Sequence, residues 1–418
     1  MRIEVVTVGD ELLLGYTLDS NAAHLARELA ALGVEIVRRS TCGDDAETIA
    51  ATVREALDRT GAVITTGGLG PTSDDLTKPS IAALFGRDMV LDDEHFDWMR
   101  RRWAARWPER PMPDANRQQA MLPGGARKLV NRHGSAPGIW LEDERGRWVA
   151  MLPGVPREMR GMLADTLMPL IAERVGDVRR VVRSRTLRST GVAESRVAEL
   201  VATLPDGVGD VELAYLPTID GVDLRVTVRN LTPEVADARL EEAAMRLHSV
   251  LGDAIYGEGA TDLAAVVLDL CRTRGVTIGM AESCTGGMLG ERLTAIPGSS
   301  DVVRGGVIAY ANDVKRALLG VDASVLEAHG AVSEPVARAM ATGARKLLGV
   351  DAALAITGIA GPGGGTTEKP VGTVWIALDL GGNVESVLLR LWGDRTEIRQ
   401  RSAQGALNLL RRALLSTD

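Results

Sequence analysis

The amino-acid sequence predicts an α/β protein with two three-layer α/β domains that are joined by a small α+β domain. The chain has 418 residues, which is more than a single hydrophobic core usually serves. Short apolar runs typical of buried strands alternate with amphipathic helix patterns near both ends, which indicates parallel sheets covered by helices. Between them, arginines alternate with Val and Leu. We therefore expect domains at residues 1–174, 175–257 and 258–418.

Composition narrows the possible partners. Only 3% of the residues are aromatic, and 48 Lys and Arg stand against 56 Asp and Glu, which leaves a net charge of −8. The net charge argues against nucleic acid and against an anionic membrane surface as a partner, and the few aromatic residues leave few platforms on which single-stranded bases could stack. No apolar stretch approaches the roughly 20 residues of a membrane span, and three cysteines are too few for a disulfide framework. We therefore expect a cytoplasmic protein.

Strand and helix patterns alternate along the first segment. The strand patterns are Ile3–Val8, Val34–Val37, Ala62–Thr65 and Trp148–Leu152, and the helix patterns are Asn21–Leu32 and Asp45–Leu57. A further helix is expected from Pro156, because proline is favoured in a first helical turn.

The middle segment predicts two strands, 213–216 and 222–228, and a helix over 233–251. The last segment returns to the α/β rhythm. Its predicted elements are a helix at Leu263–Arg274, a strand at Val276–Met280, a helix after Cys284, a strand at Gly305–Tyr310, a helix from Ser333, strands at Ala352–Thr357, Gly372–Leu380 and Val384–Leu391, and a final helix.

The stretch Ala281–Gly287 lies where a strand ends and a helix begins, which is where open α/β sheets place their sites. Ser283 in this turn suits a nucleophile, and the amides near Thr285 and Gly286 suit an oxyanion. The alternative is that Ser283 only caps the helix. Cys284 is a rival nucleophile, since a helix N-terminus would lower the pKa of its thiol, unless it is simply a small buried side chain.

A serine nucleophile needs a base, and Tyr310 and Lys315 are the best-placed candidates. Both follow a predicted strand and enter a helix, so they can reach the crevice that holds Ser283. A lysine acts as a base when burial or a nearby charge lowers its pKa. The alternatives are strand-end packing for Tyr310 and an exposed helix charge for Lys315. His329, the one histidine of this segment, is expected to face solvent.

A glycine-rich loop, Thr357–Gly363, also follows a strand in this segment. Amides around Thr357, Gly358 and Gly361 can hold a phosphate, and the alternative is a flexible turn. Arg395 suits a forked contact to a phosphate or a carboxamide, or an ion pair at a helix start.

A second glycine loop, Thr65–Thr77, follows a strand in the first segment and opens a helix. Amides around Gly67, Gly68 and Gly70, together with the Thr72 hydroxyl, suit a phosphate or a pyrophosphate.

Two carboxylate pairs accompany this second loop. Asp74 and Asp75 lie within it, and Asp10 and Glu11 follow the first strand at the same sheet edge. They suggest a divalent metal ion that neutralises phosphate, while the alternative is that the acids stabilise helix N-termini. No Cys and His spacing suggests a zinc site.

The last segment resembles the nicotinamide-nucleotide amidohydrolase (NMN deamidase) family. The matching stretches, in family order, are AESCTGG (281–287), Tyr310 with Lys315, HGAVSEPVA (329–337), TGIAGPGGG (357–365), EKPVGTVW (368–375) and Gly393-Asp394-Arg395. The resemblance implies that Ser283 is the nucleophile and that Lys315 and Tyr310 handle its proton. It also implies no cofactor in this half, and nicotinamide mononucleotide as the substrate, which is converted to nicotinate mononucleotide and ammonia.

The first segment resembles the molybdopterin-binding (MoaB/MogA-like) fold and, in detail, the amino-terminal half of the competence/damage-inducible CinA proteins. The matching stretches are GDELLLG (9–15), DSN (19–21), TGGLGPTSDD (66–75) and LPGVPREM (152–159). The resemblance implies metal-dependent hydrolysis of ADP-ribose to AMP and ribose 5-phosphate. The fold relatives bind molybdopterin instead, so a pterin ligand stays open.

Together the two resemblances cover essentially the whole chain. They imply a pyridine-nucleotide salvage enzyme of the CinA family, a KH-like middle module and a homodimer. The middle segment lacks an evident GxxG loop, so we do not expect it to bind RNA. The rival hypothesis is a binding protein for competence or DNA repair with decayed sites, against which the intact Ser283, Tyr310 and Lys315 argue.

Overall fold

The computed structural model describes residues 1–176 and 180–416. Within the chain, two compact units are distinguished: residues 1–183 with 228–238, and residues 184–227 with 239–418. The limits of three domains at 174/175 and 257/258 stay a prediction.

The first unit is built on a six-stranded sheet. The strands of this part of the chain are β1 (Arg2–Val8), β2 (Glu35–Cys42), β3 (Ala62–Thr66), β4 (Met89–Leu91), β5 (Met121–Pro123), β6 (Arg127–Leu129), β7 (Gly138–Glu142) and β8 (Trp148–Leu152). The sheet order is β2-β1-β3-β8-β7-β6, while β4 and β5 form a separate pair. The first four strands of that order are parallel, and β7 and β6 are antiparallel.

Helices cover both faces of this sheet. They are α1 (Asp10–Leu13), α2 (Ser20–Ala31), α3 (Ala46–Thr60), α4 (Thr77–Leu84), α5 (Asp93–Arg106), α6 (Pro156–Met162) and α7 (Met168–Val175). Successive side chains of β1 point to opposite faces of the sheet, so the strand contributes to a helix layer on each face. Ile3 belongs to the same core cluster as Leu25 of α2. Val6 belongs to the opposite cluster, with Val53 of α3.

The middle segment forms a four-stranded sheet of order β10-β11-β9-β12. Its elements are β9 (Val181–Ser189), α8 (Glu194–Val201), β10 (Glu212–Pro217), β11 (Val222–Leu231), α9 (Pro233–Leu251) and β12 (Ile255–Glu258). The β9, β11 and α9 elements each contribute residues to both units.

The rest of the second unit is built on a five-stranded sheet. Its elements are α10 (Leu263–Arg274), β13 (Ile278–Glu282), α11 (Met288–Thr294), β14 (Val303–Ile308), α12 (Asn312–Leu319), α13 (Ala323–His329), α14 (Glu334–Leu348), β15 (Ala352–Gly358), β16 (Thr373–Leu380), β17 (Asn383–Arg390) and α15 (Arg395–Ser416). The sheet order is β14-β13-β15-β16-β17. Strands β14, β13 and β15 are parallel, and β16 and β17 are antiparallel.

Two cores lie on opposite faces of this second sheet. Met280 packs in a cluster with residues of α10 and α15. Its neighbour Ala281 packs in another cluster, with residues of α14. The predicted class, α/β with a small α+β middle part, is therefore confirmed. The expectation of parallel sheets is only partly right, because β6 and β7 in the first sheet and β16 and β17 in the second pair antiparallel.

The predicted limits of two strands in the last segment are wrong. The strand predicted at Val276–Met280 is observed at Ile278–Glu282, and the strand predicted at Gly305–Tyr310 is observed at Val303–Ile308. Sequence patterns do not predict a charged residue such as Glu282 within a buried strand, yet Glu282 pairs with Ile356 in the sheet. Its carboxylate is hydrogen-bonded inside the protein, as described below, and that compensates its burial.

No helix within residues 1–176 and 180–416 has the length and apolar character that crossing a membrane requires.

Candidate functional sites

Three parallel strands of the second unit end at the same edge of their sheet. Ser283 follows β13, the turn before Asn312 follows β14, and the loop from Ile359 follows β15. Because the carboxyl ends of neighbouring parallel strands lie side by side, this edge collects the predicted nucleophile, its predicted base and the predicted phosphate loop.

Lys315 and Ser283 are in direct contact at this edge. The Lys315 Nζ atom lies 3.0 Å from Ser283 Oγ. It also donates to the carbonyl oxygens of Ala309, at 2.8 Å, and Tyr310, at 3.2 Å. The Lys315 side chain is only 1% exposed, and burial lowers the pKa of its amine.

The two carbonyls determine how a neutral Lys315 amine is oriented. A carbonyl oxygen only accepts hydrogen bonds, so both remaining N–H groups of the neutral amine are needed for Ala309 and Tyr310. The lone pair is then left for Ser283 Oγ, which is the arrangement that a general base requires.

Tyr310 lies at this edge but its hydroxyl has a different partner. The side chain is 60% exposed, and the hydroxyl is 3.0 Å from Nη2 of Arg395. Arg395 also donates from Nη1 to the Gly361 carbonyl, at 2.6 Å. Of the two predicted proton-handling residues, the one hydrogen-bonded to Ser283 is therefore Lys315, while Tyr310 serves Lys315 through its main-chain carbonyl.

Of the two alternatives for Cys284, the structure supports the small buried side chain and not the activated thiol. The side chain is 5% exposed and belongs to the hydrophobic core. Burial, followed by the charge of Glu282, raises the pKa of the thiol to about 12. The thiol is therefore neutral at physiological pH and is a poor nucleophile.

The backbone of the Ser283 turn is held on both sides. The Ser283 N–H donates to Ile356, at 2.9 Å, and the Ser283 carbonyl accepts from the Gly286 N–H, at 3.1 Å. Gly286 is therefore not free to hold an oxyanion. Among the residues that the structure describes, the N–H groups of Cys284 and Thr285 donate to no main-chain carbonyl.

The loop after β15 is partly used for internal contacts. The Thr357 hydroxyl donates to the Ala331 carbonyl at 2.8 Å. A Cβ at Gly358 would lie 2.6 Å from the Val374 side chain, so Gly358 serves strand packing. The Gly361 carbonyl accepts from Arg395, the first residue of α15, so the Arg395 guanidinium lies against this loop. His329 is exposed at the end of α13, as expected.

The first unit carries its candidate site at the equivalent edge of its own sheet. A cavity of about 480 Å³ is lined there by residues from the loops that follow β1, β3 and β8. Gly67, Gly68 and Gly70 line it, as do Asp74 and Asp75. Thr72 and Asp10 do not belong to the lining.

Close backbone approach explains why glycine is needed in this loop. Gly67 has a φ of +109°, and a Cβ there would lie 2.1 Å from the Val8 carbonyl. A Cβ at Gly68 would lie 2.1 Å from the Thr77 hydroxyl. Side chains would therefore push the loop away from the end of β1 and close the cavity.

Asp75 shapes the loop. Its Oδ1 atom accepts from the Gly70 N–H at 2.7 Å. Its Oδ2 atom accepts from the Thr72 N–H and hydroxyl, at 2.8 and 2.5 Å. The Asp75 carboxylate and the Thr72 hydroxyl are thus engaged with each other.

Other carboxylates face the cavity, and one of them was missed by the sequence interpretation. Asp44 lines the cavity with Glu11 and Asp74, and it exchanges backbone to side-chain hydrogen bonds with Asp10. Burial, together with the charges of Asp10, Glu11 and Asp74, raises the pKa of Asp44. Asp44 lies two residues after the end of β2, just as Asp10 lies two residues after the end of β1. This equivalent position is the feature of the sequence from which Asp44 could have been predicted.

Glu158, from the LPGVPREM stretch, is a second lining residue that was missed. It accepts a hydrogen bond from the Asn131 amide at 2.6 Å. On the other side, Asn21 of the DSN stretch lines the cavity and donates to Gly154 and Thr66. Both residues are held by contacts that are distant in sequence.

These carboxylates suit a metal ion that is shared with a ligand. Within residues 1–176 and 180–416, no group of three or more His, Cys, Asp or Glu side chains is arranged to hold a metal ion by itself. Mg²⁺ commonly uses one or two carboxylates plus substrate phosphates. Asp44 and Asp74 fit that mode, whereas the carboxylate of Asp75 is already occupied.

The cavity lining also includes apolar side chains. Leu12 and Leu18 are among them. Leu18 is 90% exposed, and the neighbouring Tyr16 is 84% exposed. These side chains offer an apolar surface beside a floor of glycine amides.

Comparisons with known proteins identify the family of this chain. The family model "CinA C-terminal domain" matches residues 260–414, "Probable molybdopterin binding domain" matches 4–173, and "Damage-inducible protein CinA KH domain" matches 184–257. A CinA-like protein of Gemmatimonas aurantiaca is 63% identical over 99% of this chain and 96% of its own length. The chain belongs to the CinA family.

Other proteins with competence/damage-inducible names are similar to the whole chain or to part of it. A putative competence-damage inducible protein of Desulforudis audaxviator is 44% identical over 98% of both chains. Among solved structures, the competence/damage inducible protein CihA of Agrobacterium tumefaciens is 44% identical, with a TM-score of 0.36, and covers 37% of this chain and 94% of its own. The predicted family and its molybdopterin-binding-like and KH-like parts are confirmed.

We expect Gly67→Ala to destabilise the first unit and close its cavity. Strain at a positive φ costs roughly 1–3 kcal/mol, and the overlap with Val8 adds to it. Gly86→Ala is the matched control, because Gly86 also has a positive φ, of +62°, but nothing lies within 4 Å of its Cβ position. In urea denaturation, Gly67→Ala should cost about 2 kcal/mol more than Gly86→Ala. Equal costs would contradict the close approach.

Proposed function

We propose that the C-terminal half of this CinA-family chain is a serine amidohydrolase that deamidates nicotinamide mononucleotide. The contact between Lys315 Nζ and Ser283 Oγ, with both carbonyl partners of Lys315, carries the proposal. The choice of substrate rests on the resemblance of the AESCTGG and TGIAGPGGG stretches to the NMN deamidase family. The products are nicotinate mononucleotide and ammonia.

The reaction proceeds in two halves. Neutral Lys315 accepts the Ser283 proton while Oγ attacks the carboxamide carbon, and the carbonyl π electrons move to oxygen. The N–H groups of Cys284 and Thr285 are placed to hold that oxyanion, and such a donor typically contributes about 3 kcal/mol. The Lys315 ammonium then protonates the leaving nitrogen, and the C–N bond breaks to release ammonia.

Water completes the cycle. Lys315, again neutral, takes a proton from a water molecule that attacks the acyl-enzyme carbon, and the bond to Ser283 Oγ breaks as Oγ regains a proton. Arg395, held by Gly361 and Tyr310, is proposed to bind the substrate phosphate, since its charge lies at the same sheet edge.

Substitution of the dyad should remove deamidation. We expect Ser283→Ala to lower kcat by at least about 1,000-fold, and Lys315→Met by roughly 100- to 10,000-fold. Cys284→Ala is the control and should keep activity within a few-fold, because the thiol is buried and neutral. Ammonia release from nicotinamide mononucleotide measures all three. Activity that persists in Ser283→Ala but disappears in Cys284→Ala would refute the serine mechanism.

The rate should rise with pH as Lys315 loses its proton. Only the neutral amine accepts the Ser283 proton, and burial lowers the pKa of Lys315. We therefore expect kcat/KM to rise with pH and to level off below the ordinary lysine pKa of about 10.4. A rate that is independent of pH would exclude Lys315 as the base.

We also propose that the first unit hydrolyses ADP-ribose to AMP and ribose 5-phosphate with a divalent metal ion. Support comes from the 480 Å³ cavity, its glycine loop and the carboxylates of Asp44 and Asp74. The glycine-loop amides would hold the pyrophosphate, and the exposed Tyr16 and Leu18 side chains would cover the base. A bound metal ion would neutralise the phosphate charge and polarise the bond to be cleaved.

Molybdopterin binding is the second candidate for this unit. It is favoured by the family model that matches residues 4–173, which describes a probable molybdopterin binding domain. The same cavity would then bind a phosphorylated pterin without hydrolysis. For the whole chain we propose a cytoplasmic homodimer whose partners are small nucleotides.

Metal removal should separate the two activities. With EDTA, we expect ammonia release from nicotinamide mononucleotide to continue and AMP release from ADP-ribose to stop. The double substitution D44N and D74N should abolish AMP release alone, because the two sites use different residues. Loss of both activities with EDTA would refute a metal-free amidase. Tight pterin binding without AMP release would favour the second candidate.

A further inference from the structure

Glu282 is a buried carboxylate that no step of the proposed reaction uses. It is the last residue of β13 and is 1% exposed. Its Oε2 atom accepts from the N–H groups of Gly287, at 3.1 Å, and Leu289, at 3.0 Å. Its Oε1 atom accepts from Gly290, at 2.8 Å. A charged acceptor with three backbone donors forms stronger hydrogen bonds than neutral partners do.

These three donors belong to the N-terminus of α11, which begins at Met288. The first N–H groups of a helix have no partner within the helix. The N-cap residue of α11 is Gly287, which has no side chain that could accept a hydrogen bond from them. Glu282 takes the place of that cap from the preceding strand. Its carboxylate therefore closes the turn from Ser283 to Gly286 into a loop of fixed size.

The position of Ser283 depends on that closure. Its main chain is bonded to Ile356 and Gly286, and its side chain is bonded to Lys315. The other end of the turn, at the junction with α11, is held in two ways. Arg399 and the Met288 N–H donate to the Thr285 carbonyl, and Glu282 fastens the start of α11 back to β13. Release of that junction would let Oγ move relative to Lys315, and small displacements of this kind are costly for catalysis.

The negative charge has a second effect at the same place. The N-terminus of a helix is a positive end that favours anions, including a neighbouring thiolate. Here a buried carboxylate occupies that end, and it stands two residues before Cys284 along the chain. The helix therefore does not activate Cys284, and the same occupied N–H groups are not available to a substrate phosphate.

We propose that Glu282 is a positioning residue that fastens the Ser283 turn to the N-terminus of α11 and thereby makes Ser283, rather than Cys284, the nucleophile. The catalytic part of this inference rests on the proposed amidase function. The part that concerns Cys284 is independent of it.

Glu282→Gln tests both parts in the full-length protein. One side of the Gln amide is an NH₂ donor, so at least one of the three N–H groups loses its acceptor. We expect kcat for nicotinamide mononucleotide to fall about 100-fold while KM changes less than threefold, because binding groups such as Arg395 are untouched. Glu291→Gln is the matched control, since it removes an exposed charge from the same helix, and it should leave both values unchanged.

Alkylation by iodoacetamide at pH 8.5 supplies a readout that loss of packing alone would not produce. With Glu282→Gln we expect the Cys284 peptide to be alkylated about tenfold faster than in the wild type. Cys42 and Cys271, which are also buried, should stay as slow as before. An unchanged kcat, or an unchanged rate at Cys284 in a folded variant, would overturn the proposal.

Equal alkylation of all three cysteines would reveal that Glu282→Gln does not fold. In that case, hydrogen exchange in the wild type tests the role of Glu282. The Leu289 and Gly290 amides should exchange at least about 100-fold more slowly than those of Ser195 and Arg196. These lie in the first turn of α8, whose N-cap residue gives no side-chain hydrogen bond. Equally fast exchange would overturn the proposal. If the wild type releases no ammonia, the amidase function fails, while alkylation and exchange still judge the role of Glu282.

Discussion

The buried amine of Lys315 is the constraint on which the second unit's site depends. An amine that is 1% exposed must have its hydrogen bonds satisfied inside the protein, and two carbonyls and one hydroxyl do so. Those partners come from the end of β14 and the end of β13. The contact therefore exists only because the two strands are parallel neighbours whose carboxyl ends coincide.

Both units use a carboxylate to shape a glycine-rich loop. Asp75 accepts from the amides of Gly70 and Thr72, and Glu282 accepts from three amides at the start of α11. In each case the carboxylate lies beside a proposed anion-binding turn, yet it accepts hydrogen bonds from main-chain N–H groups of the protein. A carboxylate next to a glycine loop is therefore weak evidence for a metal ligand until its hydrogen bonds are known.

An acidic chain must hold its proposed anionic ligands with local groups. The net charge is −8, and burial, together with the charges of Asp10, Glu11 and Asp74, raises the pKa of Asp44. In the first unit, glycine amides and a shared cation would offset that charge. In the second unit, the groups at hand are Arg395 and the main-chain amides of Cys284 and Thr285. Because the net charge is negative, binding of these anionic ligands depends more on the local geometry of main-chain amides than on long-range attraction by the whole protein.

The sequence by itself determined the strand-turn-helix order, the layers and the identity of the residues at the two sheet edges. Periodicity and glycine positions are local signals, and they were enough to bring Ser283, Lys315 and the glycine loops to the correct edges. The end of β13 lies two residues beyond the predicted one, because Glu282 does not resemble a buried strand residue. Strand β2 continues to Cys42, five residues past its predicted end at Val37. The resemblance to the CinA family was equally readable from short stretches.

Only the tertiary structure decided which partner each side chain has. The pairing of Tyr310 with Arg395, the exchange between Asp10 and Asp44, and the burial of Cys284 all depend on chain segments that local patterns do not relate. Hydrogen bonds and desolvation are set by those distant neighbours. For this reason the sequence could name Ser283 and Cys284 as rivals, but their different surroundings were needed to separate them.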